Sequence, residues 1–246
     1  MNITIPGNTT SWELVVGIQL FQQIKDSDFI SVAVVPTSTT DIDDLLYYSG
    51  IERSSGSLYT QPLQFAEAYR QVDDTDLSYV DVLARVSGMA MLKPEAPRFP
   101  LVTPHSNGGI VIAPFGLKRE LDLSTSVWGP ITQHLRSYKH TVYQIGERNQ
   151  RQSFSGFTEA EVLCNRSIKD KLEALASAKL VVGIPNAWTW IAAGFGVKIV
   201  LLYPDHLPPK RWFPFSSDNF GRIAFQAHQV QTPVMLAGLR QLIKEM

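Results

Sequence analysis

Cysteine is nearly absent from this chain. Its 246 residues include one, Cys164, which excludes an intrachain disulfide and a cysteine-based metal cluster. Charge is also scarce: Asp, Glu, Lys and Arg make up 18% and the net charge is −1. A nucleic-acid binder more often carries a clear basic excess, so bulk polyanion binding is not favoured, although a local basic face stays open. No apolar run approaches the roughly 20 residues of a membrane span. The first residues lack the basic-then-apolar order of a secretion signal. A cytoplasmic location without a membrane span is the expectation. The five histidines, His105, His134, His140, His206 and His228, show no metal-ligand spacing. Neither a Gly-x-Ser-x-Gly elbow nor a Walker-type lysine loop occurs. The Asp41-Ile42-Asp43 pair opens a helix, where acidic side chains suit the dipole without any metal. No metal and no bound cofactor are therefore expected.

Hydrophobic residues make up 44% of the chain, enough for a proper core in one large domain or two small ones. The pattern from residue 1 reads strand (1–5), helix from about Trp12, strand (29–35) stopped by Pro36. Leu14, Ile18, Phe21 and Ile24 fall at helical spacing. Further helices are expected at 41–48, 64–71 and 79–86. Residues 93–104 carry four prolines and read as the best linker. The predicted domains are residues 1–95 and 106–246.

In the second stretch, Gly109–Pro114 reads as a buried strand, 125–138 as a helix with Val127, Ile131 and Leu135 on one face, and 140–145 as a strand. Thr158-Glu159-Ala160-Glu161 has the look of a helix start, and 170–178 reads as a helix with Leu172, Leu175 and Ala176 inward. Residues 179–215 are the most informative. Leu180–Gly183 is a short apolar run of the kind found in buried parallel strands. Asn186 is a good N-cap for the small-residue helix that follows, and Val197–Tyr203 is the next strand. A strand at 222–228 and a helix opening at Thr232-Pro233 complete the pattern. Alternation of this kind predicts an α/β fold: two Rossmann-like halves, each a parallel sheet wrapped by helices.

A helix opening at the carboxyl end of a parallel strand is an anion site by construction, but an ordinary crossover reads the same way. The wording of the segment adds a family. Trp190-Ile191-Ala192-Ala193-Gly194-Phe195-Gly196, with Tyr203-Pro204-Asp205 and Arg211-Trp212, resembles the donor-binding segment of the heptosyltransferase-like glycosyltransferases (glycosyltransferase family 9, two-domain GT-B fold). Pro185-Asn186-Ala187 stands where that family has Asp-Thr/Ser-Gly, and Trp190 stands where it has His. The resemblance covers most of 109–215 and, more faintly, the first helix.

The resemblance implies inverting, metal-independent transfer of a sugar from a nucleotide diphosphate donor to a hydroxyl acceptor. Glu13 falls where the family has its proposed base, and a carboxylate there takes the acceptor proton; a plain first-turn acid at a helix dipole is the rival reading. Asn8, Thr9 and Thr10 would then line the acceptor. Lys118 and Arg119 would stabilise charge on the leaving diphosphate, or form a solvated basic pair. Glu147 would accept from ribose hydroxyls, or be a loop acid. Asn186, Ala187, Trp188, Trp190, Asp205 and Arg211 complete the implied donor set. In the loop 204–215, Trp212 beside basic residues suits stacking on a base, with core packing of Trp212, Phe213 and Phe215 as the alternative. The first half is shorter than the family's, which leaves the acceptor open between a glycan and another hydroxyl, including a hydroxylated DNA base. The non-enzymatic alternative is a degenerate nucleotide-sugar-binding or scaffold protein.

Overall fold

The computed structural model describes residues 2–5, 11–26, 33–36, 40–51, 60–72, 75, 77–89, 95–106, 108–116, 123–147, 160–206, 209–215, 219–225 and 232–245. In chain order the elements are β1 (Asn2–Ile5), α1 (Ser11–Asp26), β2 (Ala33–Pro36), α2 (Thr40–Tyr48), β3 (Thr60–Pro62), α3 (Phe65–Val72), α4 (Tyr79–Val86), β4 (Ile110–Ala113), α5 (Thr125–Arg136), β5 (Val142–Gln144), β6 (Glu161–Val162), α6 (Ile168–Ala176), β7 (Leu180–Gly183), α7 (Ala187–Gly194), β8 (Ile199–Pro204), α8 (Pro209–Trp212), β9 (Phe220–Phe225) and α9 (Thr232–Glu245). They form two units: residues 1–102 with 209–215, and residues 103–208 with 216–246.

In the first unit β1 lies between β2 and β3, parallel to both. The spacing of Leu14, Ile18 and Phe21 suggests one apolar face for α1. The helix is in fact enclosed on more than one side, because Val15, Val16 and Leu20 are as buried as those three. Gln22 joins it to the proline-rich stretch. Its amide nitrogen donates to the Ser49 and Arg98 carbonyls at 3.0 and 2.6 Å, and its oxygen accepts from the Arg98 amide at 2.7 Å. Residues 95–102, read from sequence as part of a linker, are thereby tied to this unit, with Phe99 buried.

The second unit carries a six-stranded sheet in the order β6-β5-β4-β7-β8-β9, parallel throughout. Every residue of β4 and β7 is buried, as expected of strands covered on both faces. One layer of core joins Ile110, Ile112, Val182, Val200 and Leu202 to Trp128 and Leu135 of α5 and Leu239 of α9. Residues of the opposite parity, Val111, Val181, Ile199 and Leu201, are fully buried too, and α6 and α7 pack together beside β7 and β8. Burying each such side chain contributes about 1.5–3 kcal/mol. The segment at Glu161 is not a helix start: Glu161 and Val162 form the edge strand β6, paired to Tyr143 and Gln144.

Candidate functional site

The strand order places a crevice at the middle of the second unit. From β4 the chain winds towards β5 and β6, and from β7 it winds the other way, towards β8 and β9. At such a switch point the loops leaving two adjacent strands diverge, and ligands bind outside their carboxyl ends. Here those ends are Ala113 and Gly183, which are register partners. Their approach requires glycine: a Cβ at Gly183 would lie 2.9 Å from the Ala113 Cβ, the Ala113 oxygen and the Thr189 Cγ2.

Asn186 organises the crevice. Its Oδ1 accepts from the Thr189 amide at 2.9 Å while its own amide donates to the Thr189 hydroxyl at 3.0 Å, a reciprocal cap on α7. Its Nδ2 donates to the carbonyls of Ala113 and Phe115 at 3.3 and 2.7 Å. The side chain is buried and both Nδ2 hydrogens are engaged within the protein. Asn186 therefore positions the site, joining the start of α7 to the end of β4. With the Thr189 amide taken by the cap, the first-turn amides of α7 without an intrahelical acceptor are those of Ala187 and Trp188, donors of the kind that suit an anion. Thr189, which the sequence reading did not single out, completes the cap. An Asn with a hydroxyl three residues on was its signal.

Other predicted residues share this edge of the sheet. Glu147 is half-buried just past β5, where the Ile145 amide donates to the Ile112 carbonyl at 2.9 Å. Asp205 is exposed just past β8, with its amide donating to the Phe225 carbonyl at 2.8 Å. Ala187 and Trp188 open α7, both buried. Trp190 differs from expectation as a donor contact: it is 0% exposed, so its ring has no surface to offer a ligand. Lys118 and Arg119, and the acceptor-loop residues Asn8, Thr9 and Thr10, lie outside the described residues.

Two predicted residues belong to the first unit. Glu13 is half-buried in the first turn of α1. Burial and, after it, the Glu13 charge push the Tyr69 phenol well above its ordinary range; Tyr79 is raised by burial, then by Tyr69 and Glu13. Glu13 thus lies near a pair of phenols that stay protonated. Arg211 donates to the Thr75 carbonyl at 2.8 Å. The neighbouring Trp212 is buried, with its ring stacked near Tyr79 and Tyr69 at centroid distances of 5.7 and 6.2 Å. Phe213 and Phe215 are buried as well and meet edge to face. All three rings are packing residues of this unit, and Trp212 has little surface for a nucleobase.

Cys164 is fully buried. Burial pushes its thiol up, against smaller opposing effects of Gln144 and Lys171, and a reactive cysteine needs the reverse. Among the described residues no cluster of three His, Cys, Asp or Glu side chains could hold a metal, and no helix is long and apolar enough to cross a membrane. A shallow pocket lined by Ile110, Tyr138, His140, Lys179, Leu180, Lys198 and Ile243 opens at the other, amino end of the strands. Its basic residues, His140, Lys179 and Lys198, follow the C-termini of α5, α6 and α7.

No protein-family model matches the chain, and no curated protein matches it in sequence. Solved structures do match. The family 9 glycosyltransferase of Veillonella parvula superposes with a TM-score of 0.71 at 7% identity, over 100% of this chain and 97% of that one. The iron-containing dodecameric heptosyltransferase TibC, in complex with ADP-D-beta-D-heptose, gives 0.68 at 16% identity, over 99% and 75%. The Escherichia coli heptosyltransferase WaaC with ADP-2-deoxy-2-fluoro heptose gives 0.61 at 10% identity, over 100% and 99%. The chain has the α/β fold of the heptosyltransferase-like, family 9 glycosyltransferases.

Proposed function

We propose that this protein is a glycosyltransferase that moves a sugar from a nucleotide diphosphate donor to a hydroxyl acceptor, with inversion and without a metal. The observation that carries the proposal is the switch point between β4 and β7, with the Asn186-capped start of α7 beside it and Glu147 and Asp205 along the same sheet edge. The fold shared with donor-complexed heptosyltransferases makes an ADP-linked sugar the first donor to try.

In this reading the second unit holds the donor. The diphosphate meets the first amides of α7, at Ala187 and Trp188, and the cations Lys118 and Arg119. Glu147 accepts hydrogen bonds from the ribose hydroxyls, and Asp205 borders the same edge. Asn186 acts through the backbone it fixes, and Trp190 through packing. Arg211 is assigned to support of the 209–215 segment through Thr75. The first unit takes the acceptor, with Asn8, Thr9 and Thr10 along it and Glu13 as base. The acceptor oxygen loses its proton to Glu13 and bonds to the anomeric carbon from the face opposite the diphosphate. The bond from that carbon to the phosphate oxygen breaks, and the nucleoside diphosphate leaves with the electron pair. Cations and helix amides stabilise the charge it gains. A glycan hydroxyl and a hydroxylated DNA base are the acceptor classes.

A second reading, nucleotide-sugar binding without transfer, is favoured by one feature. The Pro185-Asn186-Ala187 turn carries no ionisable side chain, and its one polar side chain is turned inward. The deciding experiment incubates the protein with a panel of nucleotide sugars, ADP-linked sugars among them, with and without EDTA, and measures binding and nucleoside diphosphate release. Release in EDTA supports the transferase. Binding without release supports the second reading, and absence of binding overturns both.

A further inference from the structure

The chain as a whole is close to neutral, with 22 basic and 23 acidic residues. The pocket at the amino end of the second unit's strands is not: His140, Lys179 and Lys198 line it, and no acidic residue does. Among the described residues none of these three is held in an ion pair. Helix dipoles give a weak account of them, because that effect falls off within the last turn. The last turns of α6 and α7 carry no basic residue. His140, Lys179 and Lys198 come later, on the approaches to β5, β7 and β8.

The sheet sets the floor of the pocket. Ile110 and Leu180 are register partners at the first positions of β4 and β7, and both are buried. Val181 pairs with Ile199, so Lys198 falls level with Leu180 and on the same face. The Val181 amide donates to the Lys198 carbonyl at 2.8 Å and the Lys179 amide to the Gly109 carbonyl at 2.9 Å, which fixes both lysines to strand starts. Ile243 of α9 adds apolar surface. Tyr138 forms a wall, 37% exposed, with its hydroxyl 3.3 Å from the His134 Nε2. Lys139 between Tyr138 and His140 takes φ 60°, and by this reversal both of its neighbours line the pocket.

We propose that this pocket binds a small organic acid: one ring or a short chain bearing a carboxylate or phosphate. The apolar body lies on Ile110, Leu180 and Ile243 against the Tyr138 ring, and the acid group meets the cations at the mouth. The pocket volume is about 200 Å³, and a cavity of about 150 Å³ already holds benzene. Lysine ammoniums are point charges that accept either type of acid group. The pocket and the switch point lie at opposite ends of β4 and β7, about 10 Å apart along the strands. The site is therefore separate from the donor site and does not depend on that reading.

The test is an NMR titration of the full chain with phenyl phosphate and with benzoate. Inorganic phosphate supplies the charge without the ring, and benzyl alcohol the ring without the charge. Phenyl phosphate should bind about tenfold more tightly than inorganic phosphate, the value of burying about 60 Å² of apolar surface, and both acids more tightly than benzyl alcohol. Lys179→Gln and Lys198→Gln should each weaken phenyl phosphate about fivefold, as expected for a charge about 4 Å away in a water-like medium. Tyr138→Ala should weaken phenyl phosphate and leave inorganic phosphate unchanged. Lys210→Gln, at an exposed lysine of the first unit, should change neither. Failure of both acids to bind the wild type overturns the proposal. So do equal affinities for phenyl phosphate and inorganic phosphate, unchanged phenyl phosphate affinity in both pocket lysine variants, and an equal loss in Lys210→Gln.

Discussion

The side-chain amide of Asn186 donates to the Phe115 carbonyl at 2.7 Å, joining residues 71 positions apart in the chain. The start of α7 and the turn after β4 are thus set by one residue. Asn186→Ala removes an N-cap, typically about 1 kcal/mol, and takes the Asn186 donor from the Phe115 carbonyl, about 1–3 kcal/mol, while the Ala113 carbonyl keeps the Ile184 amide. A loss near 2–3 kcal/mol is expected in denaturant unfolding. Asn186→Asp keeps the cap acceptor but sets a buried carboxylate oxygen against the two carbonyls, so it should be destabilised at least as much as Asn186→Ala. Equal stability of Asn186→Asp and wild type would remove the β4 contacts from the account.

Residues 209–215 leave the second unit and pack within the first, and Trp212 is their anchor beside Tyr69 and Tyr79. Trp212→Ala should cost about 3–5 kcal/mol, as other large-to-small aromatic core changes do. The same cluster predicts a pH dependence. The folded state keeps both phenols protonated because burial raises them, whereas unfolded tyrosines ionise near about 10. Above that pH the unfolded chain binds fewer protons than the folded one, so stability falls as pH rises. Tyr69→Phe should flatten the fall between about pH 10 and 11. An unchanged slope in chemical unfolding would show that Tyr69 titrates alike in both states.

Much of the second unit was legible because its signals are local. The apolar run 180–183, the reciprocal Asn186–Thr189 cap and Gly196 after α7, at φ 67°, each specify their structure locally. The gathering of Glu147, Asn186 and Asp205 followed from the fold class, since a parallel sheet brings its carboxyl ends to one edge. Glu161, read as the end of a helix start at 158–161, was misread because a two-residue edge strand has no period of its own and exists through pairing with β5. The enclosure of α1, the burial of Trp190 and the docking of residues 95–102 through Gln22 depend on what packs against them. Lys171, buried in α6, was invisible for a different reason: its residue type points to solvent, and only burial contradicts it.

Glu13 separates catalysis from fold most cleanly. It lies in the first turn of α1, where an acid stabilises the helix by roughly half a kcal/mol through its dipole. Its charge also reaches Tyr69 and Tyr79, two phenols that stay protonated. If Glu13 is the base, Glu13→Gln should keep the donor affinity and lower turnover by about a hundredfold or more, the usual size of a general-base contribution. A first-turn acid without catalytic duty predicts the opposite pattern: a melting temperature lowered slightly and turnover unchanged. Steady-state rates and thermal unfolding on the same preparation distinguish the two. Unchanged turnover with lower stability would end the catalytic assignment of Glu13, while a rate loss with the donor affinity intact would place its effect in the transfer step.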